Sequence, residues 1–254
     1  MRLMNRCEYF AYLPIVRYAI RPLKSVLERY LTNLWVITWR CSKMTRTLHN
    51  YGQGRVDVFP FKKSDFDIML RICLSIRDHS NKESENYYKW YRNYMILIMG
   101  VNSGCRIEVL LQLTPKHIKG GMCRITEFKT GKIMRFELSS EVQKAIDAYI
   151  NAFEIGENEY LFRSFRHKTR PLTRVRAYKI IVSLASQAGV KYAVGCHSLR
   201  KSFGRWIYDE THDIHLVQKM LGHSHPLITQ QYICLEENLV NKQRRKNAFG
   251  LEKV

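Results

Sequence analysis

Apolar side chains recur every three or four residues through most of this chain, with one alternating stretch near its middle. The first period marks helices that bury one face; the second marks half-buried strands. Ser64 is placed to cap a helix running through Asp65-Phe66-Asp67-Ile68-Met69-Leu70 to Ile76. Asp78 to Asn86 is polar and reads as a loop. Tyr87 to Asn102 reads as a strongly apolar helix that ends at Gly104. A short helix from Ile107 carries Leu110, Leu111 and Leu113, and Thr114-Pro115 stops it. Alternation follows: Met122 to Phe128 and Lys132 to Leu138 flank the turn Lys129-Thr130-Gly131, which predicts a hairpin. Helical spacing resumes at Ser140-Glu141-Val142-Gln143, a capping-box start for a helix reaching Phe153. Thr173 opens another helix that stops at Gly189. Residues 198–209, 213–221 and 226–234 complete the helical set, and a charged tail runs on from Leu235. The predicted fold is mainly α with a small antiparallel β-sheet.

Residues 1–55 differ from the rest: ten are Lys or Arg and two are acidic. Leu23, Leu27, Leu31 and Leu34, beside Trp35 and Trp39, predict one amphipathic helix after Pro22. Tyr51-Gly52-Gln53-Gly54 reads as a linker. The expected organisation is a short basic N-terminal segment over 1–55, a main domain over 59–240, and a basic tail over 241–254.

The chain is long enough at 254 residues to bury a core, and its 46% hydrophobic content is that of a globular protein. Charge changes the picture more. The formal net charge of +20, from 42 Lys+Arg against 22 Asp+Glu, implies a polyanionic partner. Tyr160 to Lys179 concentrates that charge, with Arg163, Arg166, Lys168, Arg170, Arg174, Arg176 and Lys179 and no acid. With Lys132 on the hairpin, these are the expected contacts to a phosphate backbone. The seven cysteines form no Cys-x-x-Cys pair, and the histidines no ligand spacing, so neither a metal nor another cofactor is expected. Scattered thiols fit a reducing cytoplasm. The longest apolar run, Met95 to Val101, is too short to span a bilayer, so no membrane partner is expected.

Five residues suggest the chemistry. Arg106 in Ser103-Gly104-Cys105-Arg106, and Arg200 in His197-Ser198-Leu199-Arg200, can each give two fixed N–H donors to a phosphodiester. His197, and His223 in Leu221-Gly222-His223, can position or carry protons. Tyr232 supplies a hydroxyl that can attack phosphorus once positive charge and a base assist it. Taken singly each has an ordinary alternative. His197 could cap a helix starting at Ser198, and Tyr232 is one of 15 tyrosines.

In order and spacing these boxes resemble the tyrosine recombinase, or phage integrase, family. The resemblance covers about 59–240 and is similar to compact bacterial recombinases and resolvases of plasmids and mobile elements. Ser103-Gly104-Cys105-Arg106-Ile107 resembles the first arginine box, with Cys105 where Leu is usual. His197-Ser198-Leu199-Arg200 resembles the His-x-x-Arg box and Leu221-Gly222-His223-Ser224 the box before the nucleophile. Tyr232 lies nine residues beyond His223, where the family places that nucleophile. The resemblance implies a metal- and ATP-independent site-specific recombinase acting on double-stranded DNA in integration, excision or multimer resolution. It implies His197 as base, His223 as a phosphate contact and Lys129 as general acid, with Lys132 able to take that last role if the turn is shifted. It also implies a homotetrameric synaptic complex, in which 241–254 docks on a neighbouring subunit, and an accessory DNA-bending protein. On that resemblance the short segment 1–55 is a reduced DNA clamp, or the DNA is held from one side, or another protein helps. A type IB topoisomerase-like enzyme and a non-catalytic DNA-binding regulator are the competing readings.

Overall fold

A computed structural model describes residues 57–126, 131, 133–165 and 169–235. The segment 1–55, its linker and the tail 241–254 lie outside these residues. So do Lys129, Lys132, Arg166 and Lys168. Eight helices are described: α1 Lys63–Asp78, α2 Glu85–Ser103, α3 Ile107–Leu111, α4 Ser140–Ala152, α5 Arg174–Gln187, α6 Cys196–Thr211, α7 Ile214–Leu221 and α8 Pro226–Tyr232. Between α3 and α4 lie a 3-10 turn, Pro115–His117, and an antiparallel sheet of β1 Ile118–Lys119, β2 Met122–Thr126 and β3 Ile133–Glu137. Cys123 faces Ile118 on one side and Phe136 on the other.

The α2 helix is the centre of the domain. Met95, Ile96, Leu97 and Met99 are fully buried, and α1, α4 and α6 all pack on it. Its boundaries follow from side-chain chemistry. Ser84 accepts a hydrogen bond from the Tyr87 N–H at 3.1 Å. Gly104 closes the other end in the left-handed region at φ 60°. No bulkier residue suits that point: a Cβ there would lie 2.5 Å from the Phe203 ring. Gly100 brings α2 close to α6, since a Cβ on it would meet Leu199 at 2.5 Å.

The α6 helix holds the domain together from the other side. The extended segment before α1 lies along it: Ser202 Oγ accepts from the Phe61 N–H at 2.7 Å, and Trp206 Nε1 donates to the Phe61 carbonyl at 3.1 Å. A second, smaller core of Val217, Leu221, Ile233 and Leu235 packs α7 and α8 with Phe203, Ile207 and Tyr208 of α6. Gly204 permits that approach, because its missing Cβ would stand 3.0 Å from both Ile233 and Leu221.

Four expectations shift. Ser64 lies inside α1 and does not cap it: the helix starts at Lys63, with Lys62 at the N-cap and no side-chain hydrogen bond there. β1 was not foreseen, because two residues are too few to show a period. The helix expected from Ser140 is capped instead by Ser139, whose Oγ accepts from the Val142 N–H at 3.4 Å. The helix expected at 198 starts at Cys196: Ser198 Oγ caps back onto the Gly195 N–H at 3.1 Å, so His197 lies inside the first turn and is not the cap.

Candidate active site

Four of the expected site residues come together where α6 meets the ends of α2, α7 and α8. Arg200 is the hub. It is 3% exposed, and its guanidinium fork donates to the carbonyls of Gly104 and Leu221, both at 2.5 Å. One side chain thus ties together the first arginine box and the loop that carries His223. Arg106 is the N-cap residue of α3, just after the left-handed turn at Gly104, and its charge is felt by both His223 and Tyr232.

His223 is held on several sides. Its N–H donates to the Gln218 carbonyl at 3.1 Å, and its own carbonyl accepts from Gln218 Nε2 at 3.0 Å. Its Nδ1 lies 3.1 Å from Thr229 Oγ1, and its ring meets the Tyr232 ring edge-on at 5.0 Å. Burial, then Arg200 and Arg106, push its pKa down to about 4. It is therefore neutral at pH 7.

Tyr232 closes α8. Its hydroxyl is buried and makes no well-formed hydrogen bond. Burial raises its pKa, while the charges of Arg200 and Arg106, and the proximity of the Arg200 guanidinium, pull the other way. Lys201, itself 6% exposed, places its ammonium 5.3 Å from the centre of the Tyr232 ring. The same Nζ lies 3.8 Å from Cys234 Sγ and 3.9 Å from Asp57 Oδ1.

His197 stands exposed in the first turn of α6. Partial desolvation and the charges of Arg174, Arg200 and Lys201 lower its pKa, with Glu108 opposing them. The neutral imidazole this favours is a proton acceptor.

Residues 75–238 match the phage integrase family. The chain belongs to that family. The match encloses Arg106, Lys129, His197, Arg200, His223 and Tyr232. Among curated relatives, a probable integrase/recombinase YoeC from Bacillus subtilis is 36% identical over 148 residues, 58% of this chain and 80% of that one. Tyrosine recombinase XerD from Chlamydia pneumoniae is 32% identical over 149 residues, 56% of this chain and 48% of XerD. The chain therefore spans about half the length of that XerD. Among solved structures, the XerH site-specific recombinase bound to palindromic difH substrate, a post-cleavage complex, superposes with a TM-score of 0.58 at 22% identity. That match covers 77% of this chain and 55% of XerH. A lambda integrase dimer bound to a COC' core site gives 0.54 at 16% identity, covering 74% and 51%. At these identities the likeness is one of fold. The integrase catalytic fold is mostly helical with a small antiparallel sheet, as the periodicity of this chain predicts.

The basic stretch divides in two. Arg170, Arg174, Arg176 and Lys179 are exposed, the last three on the opening turns of α5. Arg174 pairs with Glu108 at 3.1 Å across the surface. Arg163 is a correction. It is 3% exposed and its guanidinium is paired with Glu159. Its carbonyl accepts from Tyr88 Oη at 3.0 Å and Arg92 at 3.1 Å. It is a buried structural arginine and cannot track a phosphate from solvent. Sequence reasoning missed Thr229 and Lys201, which carry no local signal beyond their place beside Tyr232 and Arg200. Among the described residues no helix is long and apolar enough to cross a membrane.

Proposed function

We propose that this phage integrase family member is a site-specific DNA recombinase that cuts and rejoins double-stranded DNA through a 3′-phosphotyrosyl intermediate. The observation that carries the reading is the convergence of Arg200, Arg106 and neutral His223 on the Tyr232 phenol. Arg106 and Arg200 hold the non-bridging oxygens of the scissile phosphate, and their charge stabilises the pentacoordinate transition state. Tyr232 Oη attacks phosphorus. His197 takes the phenolic proton, the bond from phosphorus to the 5′-oxygen breaks, and Lys129 protonates the departing oxygen, or Lys132 does from the same turn. His223 donates to a phosphate oxygen. The phosphotyrosyl bond keeps the energy of the bond broken, so a 5′-hydroxyl from a second strand reverses the steps without ATP.

The Tyr232 hydroxyl has almost no solvent contact. Docking uses the exposed Arg170, Arg174, Arg176 and Lys179, with Arg166, Lys168 and Lys132. Four copies assemble on two DNA sites, with 241–254 as the segment passed between neighbours and an accessory bending protein completing the complex.

The test is covalent capture. A pool of nicked duplexes with a randomised core is incubated with the protein and run on a denaturing gel. An adduct is expected with wild type and none with Tyr232→Phe. No wild-type adduct, or an undiminished one from the variant, refutes the enzyme. Strand exchange between two captured sites then separates a recombinase from a nicking-closing topoisomerase.

A further inference from the structure

We propose that Thr229 is a positioning residue whose buried hydroxyl donates to His223 Nδ1 and so fixes the imidazole with its proton on Nε2. The inference rests on the recombinase reading for the purpose of that proton, but not for its location. Thr229 has no solvent exposure, and its Oγ1 is 3.1 Å from His223 Nδ1. It sits on α8, three residues before Tyr232, and its carbonyl accepts from the Ile233 N–H at 3.0 Å.

The reasoning is an accounting of donors. A neutral imidazole has one N–H and one bare nitrogen, and the partner at one nitrogen decides the state of the other. A phosphodiester oxygen accepts only. A histidine that is to hydrogen-bond it must present an N–H, so its other nitrogen must be bare and must itself be offered a donor. A carboxylate or carbonyl at Nδ1 would enforce the opposite tautomer. A hydroxyl can donate, and Thr229 is the one found there. Buried, it has no water to turn to.

The same contact sets a distance. The His223 backbone is fixed to Gln218 of α7 by two hydrogen bonds, while Thr229 belongs to the helix that carries the nucleophile. The hydroxyl therefore ties the phosphate-binding ring to α8 one turn before Tyr232. A methyl in its place fills the same volume but makes no tie.

The full-length protein labelled with 15N-histidine tests this without DNA. The His223 ring signals are assigned by their loss in His223→Gln, and their 15N shifts report which nitrogen carries the proton. Wild type and Thr229→Ser are expected to show the Nε2–H form; Thr229→Val is expected to show a mixture. In the capture assay Thr229→Val is expected to form adduct about tenfold more slowly, with Thr229→Ser restoring most of the rate and DNA affinity unchanged in both. An Nδ1–H tautomer in wild type overturns the proposal, even if Thr229→Val fails to fold. So does a Thr229→Val protein with wild-type shifts and rate. A wild type that shows the Nε2–H tautomer but forms no adduct leaves Thr229 in place and removes the recombinase reading instead.

Discussion

Replacing Arg200 separates two jobs that one side chain performs. Its guanidinium closes the loop between Gly104 and Arg200, 96 residues apart, and between Arg200 and Leu221, 21 apart, with one hydrogen bond each. Both carbonyls belong to buried residues, and leaving one unpaired costs about 1–3 kcal/mol. Arg200→Lys keeps the charge, but an ammonium on a single stem cannot span both acceptors, so one is orphaned at about 2 kcal/mol. Arg200→Met orphans both, at about 4 kcal/mol. For a domain of this size each kcal/mol lowers Tm by roughly 2–4 °C, so Arg200→Lys should melt about 4–8 °C below wild type and Arg200→Met about twice as far. Adduct formation should fall about 100-fold or more in Arg200→Lys, because the fork is lost to the phosphate as well. Tyr232→Phe is the control. It removes a buried hydroxyl that has no well-formed hydrogen bond, so Tm should hold or rise while the adduct disappears. Thermal unfolding and the capture gel on the three variants decide the matter. An Arg200→Lys protein that melts like wild type refutes the tether, and one that also cleaves like wild type refutes the clamp.

Further outcomes follow from particular contacts. His223 has a folded pKa of about 4 against an ordinary 6.5, so its stabilising effect is complete above pH 6.5 and is lost as pH falls towards 4. The stability difference between wild type and His223→Gln, followed by urea unfolding from pH 7.5 to 4, should change by about 1–2 kcal/mol in that direction, because the half-buried ring is partly screened by solvent; a flat difference contradicts the burial argument. Gly104→Ala puts a methyl against the Phe203 ring at a left-handed turn, which should cost about 2–4 kcal/mol by denaturant unfolding and slow cleavage by moving Arg106. Arg163→Ala should lower stability by about 2 kcal/mol, since it empties a buried site and breaks the pair with the part-exposed Glu159. Arg176→Ala and Lys179→Ala should leave Tm alone and each flatten the slope of log affinity against log salt by about 0.9, read by filter binding. A stability loss in Arg176→Ala or Lys179→Ala, or an affinity loss without destabilisation in Arg163→Ala, reverses their assignments.

The chain's sequence alone determined most of what is local. Periods of three to four residues placed the helices, because an amphipathic face is written residue by residue along each one. Thr173 and Gly104 marked helix ends because caps and left-handed turns need particular side chains, whereas the Ser84 cap lay inside what reads as a loop. The integrase boxes were legible because Arg106, His197, Arg200, His223 and Tyr232 sit in short motifs whose order survives without structure. Tertiary packing decided the rest. Arg163 and Arg176 look alike in a basic run, yet one is buried against Glu159 and the other is exposed on α5. That difference depends on which face of the fold each segment meets, and no local pattern encodes it. The Arg200 fork reaches carbonyls that any residue type would offer, so its partners left no mark in the sequence. Thr229 meets His223 only because Gly204 lets α7 and α8 close onto α6. Motifs name the reacting groups, but contacts between distant segments fix their geometry and charge, and those contacts exist only in the folded chain.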